Sequence, residues 1–337
     1  MRAIFADHHL RFLSIAIAVI VVAATLLSGG GFLDPYNFQS MAVQIPEVGL
    51  LAIAIAITMM SGGGGIDLSV VGIANLSAIV AGLIARSIFG GENQGLEFTL
   101  AFILIALMMG VACGFINGLL VSRGGFPPIL ATLGTQFTFV GLAVALSGGP
   151  AVSLGSSEIF SAIGNGTILG VPLPFVIFIA VVLVCSLMLT RTRFGFRLYL
   201  LGTNAKAANF TGIDTKTVLT MTYTLSGLLA SVAGIIIASR ASSVKWDYGS
   251  SYLLIAVLIA VMGGVNPAGG YGKMLGLLLA TFALQMLSST LNILGTSNFL
   301  KDFTWGALLL GSIILTSTRF NAPRRLLPRA KEVNASD

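Results

Sequence analysis

The residues able to do chemistry are few and poorly placed for it. The only histidines, His8 and His9, lie in the N-terminal tail, and the only cysteines, Cys113 and Cys185, each fall inside an apolar run. Zinc sites need clustered Cys and His, and nucleophilic catalysis needs a base beside the nucleophile, so neither a metal site nor a catalytic residue is expected. Each cysteine is expected to pack as a small hydrophobe. Gly272-Lys273 ends a glycine-rich run as a phosphate-binding loop would. That loop, G-x-x-x-x-G-K-[ST], demands glycine where Pro267 stands and a hydroxyl where Met274 stands. No nucleotide-binding motif occurs elsewhere, so this chain is expected to hold no cofactor and not to be an enzyme.

The elements that must carry the remaining polar residues are apolar helices. Of 337 residues, 56% are hydrophobic and 9% charged, and the mean hydropathy is +0.98. A soluble domain carries about 25% charged residues, so that class is excluded. Runs of about 20 apolar residues suit helices crossing a bilayer, and they lack the alternation of a membrane barrel. Spans are expected at 11–31, 41–61, 66–86, 98–121, 127–147, 171–190, 217–239, 250–263, 274–294 and 303–318, the eighth and tenth of them short. The fold class is an all-α polytopic membrane protein of about ten transmembrane helices: an N-terminal tail (1–10), a transmembrane domain (11–318) and a polar C-terminal tail (319–337).

With an even number of spans both ends share one side. If that side is the cytoplasm, the inside segments hold 14 of the 18 Lys and Arg residues, leaving Arg86, Arg240, Lys245 and Lys301 outside. Basic flanks resist translocation, so both termini are expected to be cytoplasmic. The net charge of +6 is then a topology signal rather than a sign of nucleic acid as partner. The first run has the build of a signal peptide, but no clear A-x-A site follows and its loss would spoil the charge split, so it is expected to be retained.

Three segments break the pattern. Ser61-Gly62-Gly63-Gly64-Gly65-Ile66-Asp67-Leu68-Ser69 lies between two apolar runs with no room for a hydrophilic loop. Four glycines cannot hold a helix, and Asp67 and Ser69 are placed to cap the next one. The segment is either a tight turn with a cap or a hinge lining a pathway; in the hinge reading Gly63, Gly64 and Gly65 supply the break. Gly263 to Lys273 is a second glycine-rich interruption, at no matched position in an obvious repeat. The third is the long inside loop 191–216. Within it Thr203 or Asn204 can cap a two-turn helix through Ala205, Lys206, Ala207 and Ala208, and Gly212 can end it. So short a helix must pack on something, either its own membrane domain or a partner's groove, with Lys206 and Asp214 adding charge at the rim.

Polar residues inside the spans are mostly neutral: Gln44, Glu47, Asn75, Asn117, Gln136 and Gln285 are the candidates for lining a pathway, with Glu47 the one acid, expected in the first turn of its helix beside Pro46. Amides can exchange hydrogen bonds with a hydroxylated solute without holding an ion. Each serves equally well as glue between helices.

The residues also resemble a known family. SGGGGIDLSV at Ser61 to Val70, FPPILATLGT at Phe126 to Thr135, TRFGFRLYLLGTNAKAANFTGI at Thr192 to Ile213 and MGGVNPAGGYGKMLG at Met262 to Gly276 occur in the order found in permease subunits of bacterial ATP-binding-cassette (ABC) importers for simple sugars and quorum signals. The likeness runs from about residue 35 to 318. It implies the importer transmembrane-domain fold and a bacterial inner-membrane location. It also implies that Thr203 to Gly212 form a coupling helix seated in an ABC ATPase subunit, which would bind ATP and Mg. A periplasmic solute-binding protein and a second permease subunit, identical or related, complete the expected assembly. The alternative classes are a stand-alone secondary carrier, which would need its own ion-coupling groups, and an intramembrane enzyme, which lacks a catalytic constellation.

Overall fold

The computed structural model describes residues 8–90, 95–155 and 157–320. Most of both expected tails, 1–7 and 321–337, lies outside the described residues. The chain forms thirteen α-helices there: α1 (His8–Leu27), α2 (Pro35–Met60), α3 (Val70–Phe89), α4 (Leu96–Ser122), α5 (Pro128–Ser147), α6 (Glu158–Asn165), α7 (Leu173–Arg191), α8 (Arg193–Thr203), α9 (Ala205–Phe210), α10 (Thr215–Ala241), α11 (Tyr252–Met262), α12 (Met274–Ile293) and α13 (Asn298–Phe320). Two antiparallel pairs of two-residue strands tie loops together. β1 (Val152–Ser153) pairs with β4 (Ser243–Val244), and β2 (Thr167–Ile168) with β3 (Val171–Pro172).

Eight of these helices are long and apolar enough to cross a membrane: α1 to α5, α7, α10 and α12. The two other expected runs are the eighth and the tenth, the short ones. The run at 250–263 yields only the 11-residue α11, which rises about 16 Å where a hydrocarbon core needs about 30 Å. The run at 303–318 lies within the 23-residue α13, whose first turns bring in Lys301 and Asp302. The second span also starts earlier than expected. Asp34 accepts the Tyr36 N–H at 2.9 Å and Pro35 opens the helix, so α2 begins six residues before 41 and Glu47 falls in its middle, not its first turn.

Helices α2, α3 and α10 form the buried centre; α2 is buried without interruption from Val48 to Met60. Helices α4 and α5 close one side of it, α11 and α12 the other, and α1 lies against α12. Apolar side chains such as Leu104, Met108 and Phe137 point outward, as lipid-facing positions do. The tightest seam joins α4 to α10. Gly110, Gly114 and Gly118 follow one another every four residues on α4, and a Cβ on Gly114 would stand 2.4 Å from the Tyr223 carbonyl oxygen of α10. Small residues at this spacing let two helix backbones touch, which is how helices associate where lipid supplies no hydrophobic drive.

Candidate transport site and docking loop

The glycine break between α2 and α3 is a compact left-handed turn. Gly62, Gly63 and Gly64 have φ of +77°, +63° and +74°, conformations that side chains with a Cβ rarely adopt. Gly65 needs no positive φ, but a Cβ there would lie 2.5 Å from the Thr58 carbonyl oxygen. Asp67 is fully buried; its carboxylate accepts from Ser69 N–H at 3.0 Å, Ser69 Oγ at 2.6 Å and Ser226 Oγ at 2.7 Å. The capping expectation for Asp67 and Ser69 is therefore corrected. Asp67 closes a turn ahead of α3, and Ser69, at the N-cap position, gives the helix no side-chain bond. The cap comes from a different helix: Gln136 Oε1 on α5 accepts the Gly72 N–H of the first turn of α3 at 2.9 Å.

The six polar pathway candidates divide in two. Gln136 is committed to that cap. Asn75 donates from its amide to the Trp246 and Tyr248 carbonyls at 2.8 and 2.9 Å, anchoring the loop after α10, and Asn117 donates to Ser69 Oγ at 2.7 Å. These three hold the bundle together. Gln44 and Gln285 instead meet across α2 and α12, Gln285 Nε2 donating to Gln44 Oε1 at 3.2 Å. Together with Tyr252, Thr281, Ser288 and Trp305 they line a cavity of about 60 Å³. Glu47 stands behind this wall, where it accepts the Tyr252 hydroxyl at 2.8 Å. It is ion-paired with Arg240, whose Nε lies 2.6 Å from Oε1, close but off the N–H axis, and whose Nη2 donates to Oε2 at 3.1 Å. The cavity is well below the roughly 300 Å³ at which small-molecule pockets begin, so passage of a solute requires the helices to part.

The loop 191–216 holds two helices rather than one. Asn204 caps the second, accepting the Ala207 N–H at 3.0 Å, while Thr203 ends the first. The short helix closes as expected from a left-handed residue: Gly212 has φ +78°, and the Ile213 N–H reaches back to the Ala208 carbonyl at 3.2 Å. Asp214 caps α10, and its hydrogen bonds from the Thr217 hydroxyl and then the Thr217 amide hold its carboxyl below the usual range. The alanines of α9 do not share one outward face. Ala208 is buried against the protein's own helices, whereas Ala205, Lys206 and Ala207 are exposed and Phe210 is 92% exposed. Sequence reasoning passed over Phe210, and it passed over Trp305 and Arg240 as well; an aromatic ending a helix too short to stand alone was the available signal for the first.

The comparisons with known proteins agree with this architecture. A family model described as branched-chain amino acid transport system / permease component matches residues 37–313. The ribose import permease protein RbsC of Bacillus subtilis is 36% identical over 306 residues, covering 90% of this chain and 91% of that protein. The autoinducer 2 import system permease protein LsrD of Photorhabdus temperata is 35% identical over 255 residues, covering 74% of each. No solved structure matches. With the matched region running from the start of α2 into α13, the chain belongs to the permease-component family of this transport-system type and is a multi-pass membrane permease.

Proposed function

We propose that the chain is the permease subunit of an ATP-driven importer for a neutral, hydroxylated solute the size of a monosaccharide. The observation that carries this reading is the cavity between α2, α11, α12 and α13, where two amides, three hydroxyls and one indole converge. Amides and hydroxyls exchange hydrogen bonds with sugar hydroxyls, and the Trp305 face can cover the apolar face of a sugar ring. The relatives named for ribose and autoinducer 2 import support the same class. An amino acid would need separate partners for its ammonium and carboxylate; the cavity lining holds no charged side chain among the described residues, and Glu47, bonded to the lining Tyr252, is paired with Arg240.

Energy would come from an ATPase subunit seated on α9, with Phe210 as the side chain that enters its groove. A solute-binding protein would deliver from the opposite end of the bundle, where α6 lies, and a second permease subunit would complete the pathway. Both termini would face the cytoplasm of a bacterial cell. Proteoliposomes holding this chain with its ATPase test the reading. Uptake of labelled ribose should require ATP and the binding protein, and Trp305→Ala should lower it without lowering assembly. Uptake that follows an ion gradient without ATP would replace it with a secondary carrier.

A further inference from the structure

Three glycines far apart in sequence meet backbone to backbone. Gly62 lies just after α2, Gly202 is the last residue but one of α8, and Gly269 sits in the loop between α11 and α12. A Cβ on Gly202 would stand 2.0 Å from the Met60 carbonyl oxygen and 2.3 Å from the Gly270 nitrogen. One on Gly269 would stand 2.2 Å from Gly62 Cα. These neighbours are main chain, which cannot swing aside as a side chain can. The contact is also bonded: Gly270 N–H donates to the Met60 carbonyl at 3.0 Å, and the Tyr199 hydroxyl of α8 donates to the Gly272 carbonyl at 2.7 Å. By contrast, nothing lies within 4 Å of where a Cβ would sit on Gly63 or Gly64, the next residues toward α3.

We infer that Gly62, Gly202 and Gly269 form a rigid joint that carries movement of α9 into the helices around the cavity, while bending occurs beyond it at Gly63 and Gly64. This rests on the importer reading above. Gly202 stands three residues before the start of α9; α2 ends at Met60, whose carbonyl takes part in the contact, and the loop carrying Gly269 runs from the end of α11 at Met262 to the start of α12 at Met274. Gln44, Tyr252 and Gln285 lie 16, 10 and 11 residues from those ends, lever arms of about 24, 15 and 17 Å at the helical rise per residue. A small rotation of the joint is thereby enlarged at the cavity wall, and packed interfaces answer such shifts by switching between discrete arrangements. The three glycines are positioning residues: they touch no solute and act through the helices they join.

Two measurements on the reconstituted complex with its ATPase and binding protein test the joint. Spin labels placed on exposed Leu200 and Ala268 should hold one distance with and without ATP, because both sit on the joint. A pair at Leu200 and Leu130 of α5, on the far side of Gly63 and Gly64, should change distance on ATP binding. A Leu200 to Ala268 distance that shifts as much as the other pair overturns the joint. Neither pair responding to ATP, in a complex that assembles, removes the importer reading itself and the joint's role with it. Gly202→Ala forces the main chain at the joint apart, and in complexes of this variant that assemble with the ATPase uptake per ATP should fall about tenfold. An unchanged uptake per ATP in that variant also overturns the joint.

Discussion

Arg240 at the end of α10 and Glu47 in the middle of α2, 193 residues apart, form an ion pair in which the carboxylate is wholly buried and the guanidinium half-open to its surroundings. The two sides are not equivalent. Loss of Arg240 strands a buried charge, whereas loss of the Glu47 charge leaves a cation that can still reach solvent.

The expected outcome is therefore an asymmetry. Arg240→Gln should destabilise the purified protein by about 3–5 kcal/mol, the cost of orphaning a buried partner, and Glu47→Gln by clearly less. Thermal unfolding of both variants in detergent checks this, and equal losses would mean that the pair's burial does not set its energetics.

Gln136 gives a second measurable case. Its side-chain oxygen is the hydrogen-bond partner of Gly72 N–H, so Gln136→Leu should cost about 0.5–2 kcal/mol as a lost helix cap does, and Gln136→Glu should retain most of it. A change in solute selectivity without loss of stability would instead return Gln136 to the pathway.

How much of this was legible beforehand follows from the range of each interaction. The apolar runs are local, so the helices could be read from spacing alone, and the α9 cap to within two residues, Thr203 or Asn204, of which the structure uses Asn204. The roles of Gln136, Asn75 and Asn117 could not, because each bonds to a helix or loop 48 to 173 residues away and an amide's type does not say whether its partner is solute or backbone. Likewise the two glycine-rich interruptions show no matched register in sequence, yet they touch through Gly62 and Gly269. Glycine clusters mark close approach but not to what. The GxxxGxxxG run at Gly110 to Gly118 was visible in sequence and is the one long-range contact that a pattern could have announced.

The break at Gly64 predicts a defect in transport rather than in insertion. A Cβ there meets nothing within 4 Å, but valine must adopt φ near +74°, which is strained by roughly 1–2 kcal/mol or more for a β-branched residue. Gly64→Val should reach the membrane at wild-type levels and lose uptake. Full uptake would show that the turn need not bend.

Orientation can be read by reporter fusions. A fusion after Lys216 should be active on the cytoplasmic side and one near Glu158 on the outer side, as the distribution of basic residues requires. An outer signal from the Lys216 fusion would invert the map and place α9 out of an ATPase's reach.

Phe210 provides the sharpest test of docking. It ends a six-residue helix and is 92% exposed, whereas Ala208 two residues earlier faces inward. An aromatic side chain left in water on a helix fixed by an Asn204 cap and the Gly212 turn contributes little to the permease's own stability, so removing it should not unfold the chain. Interface energy concentrates in buried aromatic anchors, where truncation costs about 2 kcal/mol or more. Phe210→Ala should thus leave the melting temperature unchanged while weakening ATPase retention about 30-fold, the equivalent of that loss. Ala208→Glu should act differently: it places a charge inside the permease and lowers stability before it affects docking. If Phe210→Ala keeps the ATPase at wild-type ratios and Ala208→Glu releases it without destabilisation, the helix docks by its alanine face and the exposed phenylalanine meets lipid or solvent instead.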